Sequence, residues 1–138
     1  FDMSELILNT INKYEKKNIT FNKSSKLIFT GRKNLIRRCL NNFIDNSIKY
    51  GKNIVVNLKK SASNLIITID DDGPGIQEKE YENVFKPFYK IDKSRGDSKS
   101  SVGLGMSIAS DIIQSHGGSI KLEKSHLNGL RVKISLPT

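Results

Sequence analysis

Three groups of residues in this 138-residue chain have types and spacings that could do chemistry. The first is Asn42, Asn46, Lys49 and Tyr50. At ~100° per residue they fall within about a quarter of a helix's circumference, roughly opposite Phe43, Ile44 and Ile48. Two side-chain amides one turn apart offer hard oxygens to Mg2+, which takes a few protein oxygens and completes its shell with water and phosphate. Lys49 could then neutralise phosphate, and Tyr50 could stack or hydrogen-bond. Read alone, the same four residues are also an ordinary solvated helix face.

The second group is Asp71-Asp72-Gly73-Pro74-Gly75. Asp71 shares the parity of Leu65, Ile67 and Ile69, so a strand through them turns its carboxylate to the core side. A buried carboxylate is costly unless a donor meets it, and an exocyclic amine such as adenine N6 is a natural donor. Gly73 and Gly75 would let backbone approach a flat ring, with Pro74 stiffening the turn between them. An acidic turn closing a hairpin is the plainer alternative. The third group, Gly103-Leu104-Gly105, opens a helix and would present bare N–H groups to an anion such as phosphate. By itself Gly-x-Gly is weak evidence.

The elements that must hold these groups follow from periodicity. Ser4 to Lys17 carries Leu6, Ile7, Leu8, Ile11 and Tyr14 at helical spacing, with Ser4 as N-cap. Two extended pieces, Ile19–Asn22 and Lys26–Phe29, lead to Thr30-Gly31. A long helix runs from about Lys33 to Tyr50 and stops at a Gly51 cap, its apolar face being Ile36, Leu40, Phe43, Ile44 and Ile48. Strands at Asn53–Lys60 and Asn64–Asp71 form a hairpin turning through Ser61 to Ser63. Lys90 to Ser101 is rich in Lys, Ser and Asp and reads as a mobile surface loop. A helix from about Gly103 carries Leu104, Ile108, Ala109, Ile112 and Ile113, and Gly117-Gly118 ends it. A last hairpin, Ser119–Glu123 and Leu130–Leu136, turns at Asn128-Gly129. This order predicts an α+β fold: a two-layer sandwich whose mixed, mainly antiparallel sheet is covered on one face by helices. Asn57, Lys59, Arg131 and Lys133 on alternate positions fit a second face that is wet.

Composition narrows the function classes. The formal charge is +9, but the lysines are scattered along the chain and no aromatic–basic or zinc-finger pattern accompanies them, which argues against nucleic acid as partner. Cys39 is the sole cysteine, so no internal disulfide is available. No apolar run approaches the ~20 residues of a membrane span, and no signal peptide opens the chain, as expected of a soluble piece. The P-loop spacing is missing, and so is GxGxxG, which excludes a Walker NTPase and a Rossmann unit.

Order and spacing combine the groups. Asn42-Phe-Ile-Asp-Asn46-Ser-Ile-Lys49-Tyr50-Gly, Asp71-Asp-Gly73-Pro-Gly75-Ile76, Phe85-Lys-Pro87-Phe88-Tyr and Gly103-Leu-Gly105-Met resemble, in turn, the N box, first glycine box, F box and second glycine box of bacterial histidine kinases. The resemblance runs from about Asp2 to Pro137 and points to the GHKL superfamily, whose Bergerat ATP-binding fold is shared with gyrase, MutL and HSP90. Within the kinases, Lys49-Tyr50-Gly51, Asp71-Asp72-Gly73-Pro74 and Leu136-Pro137 look most similar to the EnvZ type.

The resemblance implies a catalytic domain that binds Mg-ATP and donates its γ-phosphoryl group to a histidine on a separate dimerisation domain. It implies that Asn46 ligates Mg2+ with Asn42 assisting, Lys49 meets phosphate, and Tyr50 meets adenine or ribose. Asp71 would take the adenine amine, with Gly73, Gly75 and Ile76 lining the base. Phe85 and Phe88 would anchor the hinge of a lid over residues 86–102, Lys90 and Arg95 would bring lid cations to phosphate, and Gly103, Leu104 and Gly105 would cradle it. It further implies one domain over residues 1–138, a phosphoacceptor domain lying elsewhere, a response regulator as the next acceptor, and a monomeric fragment that does not autophosphorylate. The parent protein would be a homodimer in the bacterial inner membrane with this domain on the cytoplasmic side.

Ser101 and Val102 stand where the second glycine box commonly has Gly and Thr, and Met106 replaces the commoner Leu. Neither His116 nor His126 is followed by the acidic residue of the family's acceptor motif; His116 reads as a helix-end cation and His126 as a turn residue. Asn42 and Asn46 are both amides, whereas ATPase clamps of the superfamily carry a general-base Glu in the N box, which disfavours hydrolysis. The rival readings are another GHKL ATPase or serine kinase, and a degenerate module that binds partners without nucleotide.

Overall fold

The structure, a computed structural model, describes residues 1–14, 18–22, 25–89 and 105–138. Along the chain come α1 (Met3–Ile11), β1 (Asn18–Asn22), α2 (Lys33–Tyr50), β2 (Asn53–Ser61) and β3 (Asn64–Asp71). Two short 3-10 turns follow, Glu78–Glu80 and Asn83–Phe85, then α3 (Gly105–Ser115), β4 (Ser119–Lys124) and β5 (Leu130–Pro137). The strands form one mixed sheet in the order β1-β2-β3-β5-β4. β1 runs parallel to β2, and the other pairings are antiparallel. This is the expected α+β sandwich.

Strand alternation builds the core. Ile54, Val56 and Leu58 of β2, Leu65, Ile67 and Ile69 of β3, and Val132, Ile134 and Leu136 of β5 are buried on one sheet face. They join Ile36, Leu40, Phe43 and Ile44 of α2 and the buried faces of α1 and α3 in one connected cluster. Ile48, expected on the same stripe, is only partly buried, and Ser47 takes the covered place one residue earlier. No helix among the described residues is long and apolar enough to cross a membrane.

Several boundaries differ from the expected ones for local reasons. Asp2, not Ser4, caps α1: its carboxylate accepts from Ser4 N–H at 3.0 Å and from Leu27 N–H at 3.1 Å. Ser4 itself is wholly buried as the second residue of the helix. The helix ends at Ile11, and Tyr14 leaves it to donate its hydroxyl to Asp45 Oδ1 of α2 at 2.7 Å, with the Asn41 amide 3.1 Å from the same hydroxyl. Lys26–Phe29, expected as an extended piece, joins no strand of the sheet; Ile28 makes an isolated bridge to Asp2, and Phe29 N–H bonds the Phe1 carbonyl at 2.8 Å.

The two helices that carry the site end differently. After α2, Gly51 is extended at φ −118°, so it is no left-handed cap. A β-carbon there would stand 3.0 Å from Asp71 Cβ, so close approach to the β3 end explains its smallness. After α3, Gly117 at φ +76° is left-handed, and Gly118 N–H reaches the Ile113 carbonyl at 3.0 Å, which is a Schellman closure. His116 lies at this closure with Nδ1 2.8 Å from the Ile112 carbonyl, while its Nε2 accepts from Arg32 N–H at 3.1 Å. Those two contacts fix the ring between the end of α3 and the residue before α2.

Candidate functional site

The best-defined part of the site is the corner where β3 ends. Asp71 follows the alternation of Leu65, Ile67 and Ile69 and is 4% exposed. Its Oδ1 accepts from Gly73 N–H at 2.9 Å and Leu130 N–H at 3.2 Å. Burial pushes its carboxyl pKa up, the two backbone bonds pull against that, and the neighbouring Asp72 and Asp70 add to the rise. Asp72 turns outward and ties the corner to the start of β2: Oδ1 accepts from Lys52 N–H at 2.7 Å and Asn53 N–H at 2.9 Å, and Oδ2 from the Asn53 amide at 2.8 Å. The Asn53 backbone bond, then its side chain, then Lys52 hold the Asp72 carboxyl below its ordinary value.

Backbone approach is close throughout the corner. A β-carbon at Gly73 would stand 2.6 Å from the Tyr50 carbonyl oxygen, so the end of α2 lies against the turn. Gly75 is left-handed at φ +70° and backs onto the Gly129 carbonyl. At Gly129 a β-carbon would overlap both the Asp71 carbonyl oxygen and its Oδ1. Ile76 and Phe85 are partly buried against the core. Phe88, at φ 64°, is 69% exposed, so it anchors no hinge by packing.

The second part is the amide face of α2. Asn42 and Asn46 are half-buried, while Lys49 and Tyr50 at the helix end are exposed. Lys49 Nζ lies 5.5 Å from the Tyr50 ring centroid. Asn42 donates its amide to the Gly105 carbonyl at 3.2 Å, joining this face to the first turn of α3 and leaving its oxygen as the end suited to a cation. A β-carbon at Gly105 would meet open space. Among the described residues no group of three or more His, Cys, Asp or Glu could hold a metal ion. A cation here would rely on amide oxygens, water and phosphate, a donor set that suits Mg2+.

The structure thus brings Asn42, Asn46 and Gly105 together on one side and Tyr50, Asp71, Gly73 and Gly75 on the other, joined through α2. Lys90, Arg95, Gly103, Leu104, Ser101 and Val102 lie outside the described residues, as does the loop expected over Lys90 to Ser101. Sequence reasoning missed Gly129, which it read only as a turn residue, together with the Leu130 N–H and the anchoring role of Asp72. It also missed Asp70, wholly buried on the sheet face expected to be wet. The register that sets Asp70 beside Arg131 has no counterpart in local sequence pattern.

Cys39 is buried, with its thiol 3.7 Å from the Ala109 carbonyl, and burial pushes its pKa up to about 12. It is the packed small residue its position on α2 suggested.

Residues 31–138 match the family model described as histidine kinase-, DNA gyrase B-, and HSP90-like ATPase. The chain is 35% identical over 109 residues to the sensor histidine kinase GtrS of Pseudomonas aeruginosa, covering 79% of this chain and 22% of that protein. It is 38% identical over 108 residues to the sensor histidine kinase CpxA of Escherichia coli, covering 78% and 24%. It therefore spans about a quarter of the length of these relatives. Among solved structures, the ATP-binding domain of PrrB from Mycobacterium tuberculosis superimposes with a TM-score of 0.79 at 26% identity, over 99% of this chain and 94% of that one.

Proposed function

The chain belongs to the histidine kinase-, DNA gyrase B-, and HSP90-like ATPase family, and from that premise we propose that it binds Mg-ATP and donates the γ-phosphoryl group to a histidine on a separate dimerisation domain of a two-component sensor kinase. The observation that carries the reading is the Asp71 carboxylate. Both of its backbone donors meet Oδ1, so Oδ2 is the atom we assign to the adenine amine. A carboxylate buried at this cost is explained by a ligand that donates to it. Gly73, Gly75 and Ile76 would line the base, with Tyr50 at its edge and Phe85 behind the lid.

Asn46 and Asn42 would hold Mg2+, which when bound neutralises phosphate charge. Lys49 and, from outside the described residues, Lys90 and Arg95 would add cations to the phosphates, while Gly103, Leu104 and Gly105 offer backbone N–H groups. Catalysis would then rest on positioning and charge, with little covalent work for the protein. Two amides in place of a general-base carboxylate favour transfer over hydrolysis. We propose one domain over residues 1–138 with a lid over 86–102, on the cytoplasmic side of a homodimeric inner-membrane protein. A response regulator would receive the phosphoryl group, and the isolated chain would not phosphorylate itself.

Calorimetric titration with Mg-ATP and Mg-GTP tests this directly. Binding of Mg-ATP with a clear preference over Mg-GTP is expected, because guanine has a carbonyl where adenine has its amine. A folded chain that binds neither would overturn the proposal in favour of a module that works without nucleotide.

A further inference from the structure

Asp70 is wholly buried, yet it lies on the sheet face away from the helices and cannot touch a ligand held at Asp71. Its Oδ1 accepts from Arg131 Nε at 2.8 Å, across the β3–β5 pairing, and from Ser125 Oγ at 2.8 Å. His126 Nδ1 stands 3.7 Å from the same oxygen, and Arg131 Nη2 lies 3.1 Å from His126 Nδ1. Oδ2 is buried with no hydrogen-bond partner among the described residues. Burying a carboxylate with one oxygen unpartnered is costly.

Of the two donors that Asp70 holds, Arg131 lies in β5 and Ser125 opens the β4–β5 connection. Ser125 Oγ accepts from Leu127 N–H at 3.0 Å. Ser125 N–H reaches the Gly129 carbonyl at 2.9 Å, and Asn128 N–H the Ser125 carbonyl at 3.0 Å. This closed loop ends on Gly129, which is pressed against Asp71, and on the Leu130 N–H that bonds Asp71 Oδ1. A continuous path therefore runs from Asp70 through Ser125 and Arg131 to the orientation of the neighbouring carboxylate on the other face.

We propose that Asp70 is a positioning residue of the nucleotide site: clamping the Ser125–Gly129 loop from behind the sheet, it sets the Leu130 N–H against Asp71 and so tunes how Asp71 reads the base. The inference rests on the adenine role assigned to Asp71. Its signature is coupling. A residue acting through Asp71 loses its effect once Asp71 is truncated, whereas one acting through general stability does not.

The test is a double-mutant cycle on the 138-residue chain, with Mg-ATP affinity measured for wild type, Asp70→Asn, Asp71→Ala and the double variant, and circular dichroism confirming the fold. Asp70→Asn should weaken Mg-ATP binding about 3- to 10-fold in the wild-type background and reduce the ATP-over-GTP ratio, but change affinity by less than about twofold when Asp71→Ala is present. Equal losses in both backgrounds, or none in either, would overturn the inference while leaving the Asp71 assignment intact. Asp71→Ala that binds Mg-ATP like wild type would remove that assignment and this inference together. Should Asp70→Asn not fold, Ser125→Ala removes one of the two donors to Asp70 Oδ1 and carries the same cycle with the same outcomes.

Discussion

At the β3 corner, Asp71, Asp72, Gly73 and Gly129 are held by backbone hydrogen bonds and by approaches too close for any β-carbon. On the amide face of α2, one to two turns back along the same helix that ends against Gly73, Asn42 and Asn46 are half-buried side chains, and Lys49 and Tyr50 extend into solvent. On the function proposed above, the corner would meet a rigid, neutral ring. The amide face would meet a metal and a phosphate chain, through side chains alone. The corner is thus shaped by backbone contacts around one buried carboxylate, and the amide face by side chains on a helix.

That contrast makes unequal predictions for substitution. The largest effect belongs to Gly129→Ala. Its methyl would overlap Asp71 backbone and carboxylate together, and relief requires the β4–β5 hairpin to move. A loss of about 3 kcal/mol in urea unfolding is expected, along with loss of Mg-ATP binding. Wild-type stability in this variant would mean the corner yields easily and the contrast is false.

On the other side, Asn46→Ala should leave unfolding free energy nearly unchanged and act on ligand alone. Mg-ATP affinity should fall at least about tenfold more than affinity for metal-free nucleotide measured in EDTA, a difference of about 1.4 kcal/mol. Equal losses in the two conditions would remove Asn46 from the metal.

A smaller effect concerns pH. Burial raises the Asp71 carboxyl above its unfolded-state value, so the fold holds that proton more tightly than the unfolded chain does. The stability this contributes is full below the unfolded carboxylate range and is lost as pH rises through the raised native value. Asp71→Asn keeps an acceptor for the Gly73 and Leu130 N–H groups but does not titrate, so it escapes the loss. Without ligand it should be more stable than wild type near neutral pH, with the advantage shrinking as pH falls into the acid range. Urea unfolding at a series of pH values checks this, and an advantage that grows on acidification would contradict it.

The smallest effect is an absence of reaction. Cys39 lies on α2 one turn before Phe43, on the packed side, with its thiol pushed up to about 12 by burial. Iodoacetamide should label it only as the chain unfolds, with nucleotide binding untouched. Rapid labelling of the native chain would show that α2 is looser than its core suggests.

Much of this was readable before the structure, and the reasons are local. The 2-residue period of Leu65, Ile67 and Ile69 carries on to Asp71 and fixes its side, and the 3.6-residue period of α2 sets Asn42 and Asn46 on one face. What escaped depends on long-range pairing. Asp70 has the parity of a solvent-facing residue, and only the register with Arg131 and the folding-over of Ser125 bury it. Gly129 looked like half of a two-residue Asn-Gly turn, but the β4–β5 connection is longer, and the demand for glycine comes from Asp71 in another strand. Gly51 stopped its helix as expected, for a reason of close approach that periodicity does not contain. Ser4 suits an N-cap by residue type, but Asp2, two residues earlier, takes that place with a carboxylate that also holds Leu27 N–H.

The central claim is that Asp71 reads the exocyclic amine of adenine, and one measurement addresses it without relying on any other residue. Wild type and Asp71→Ala, both shown to be folded, are each titrated with Mg-ATP and with the Mg complex of purine riboside triphosphate, which lacks only that amine. If Asp71 accepts from the amine, wild type should prefer ATP by about 10- to 150-fold, the range for a hydrogen bond to a charged group worth about 1.5–3 kcal/mol, and Asp71→Ala should bind the two nucleotides alike. Equal binding of both nucleotides by wild type, or an undiminished preference in Asp71→Ala, would contradict the placement of the base against Asp71.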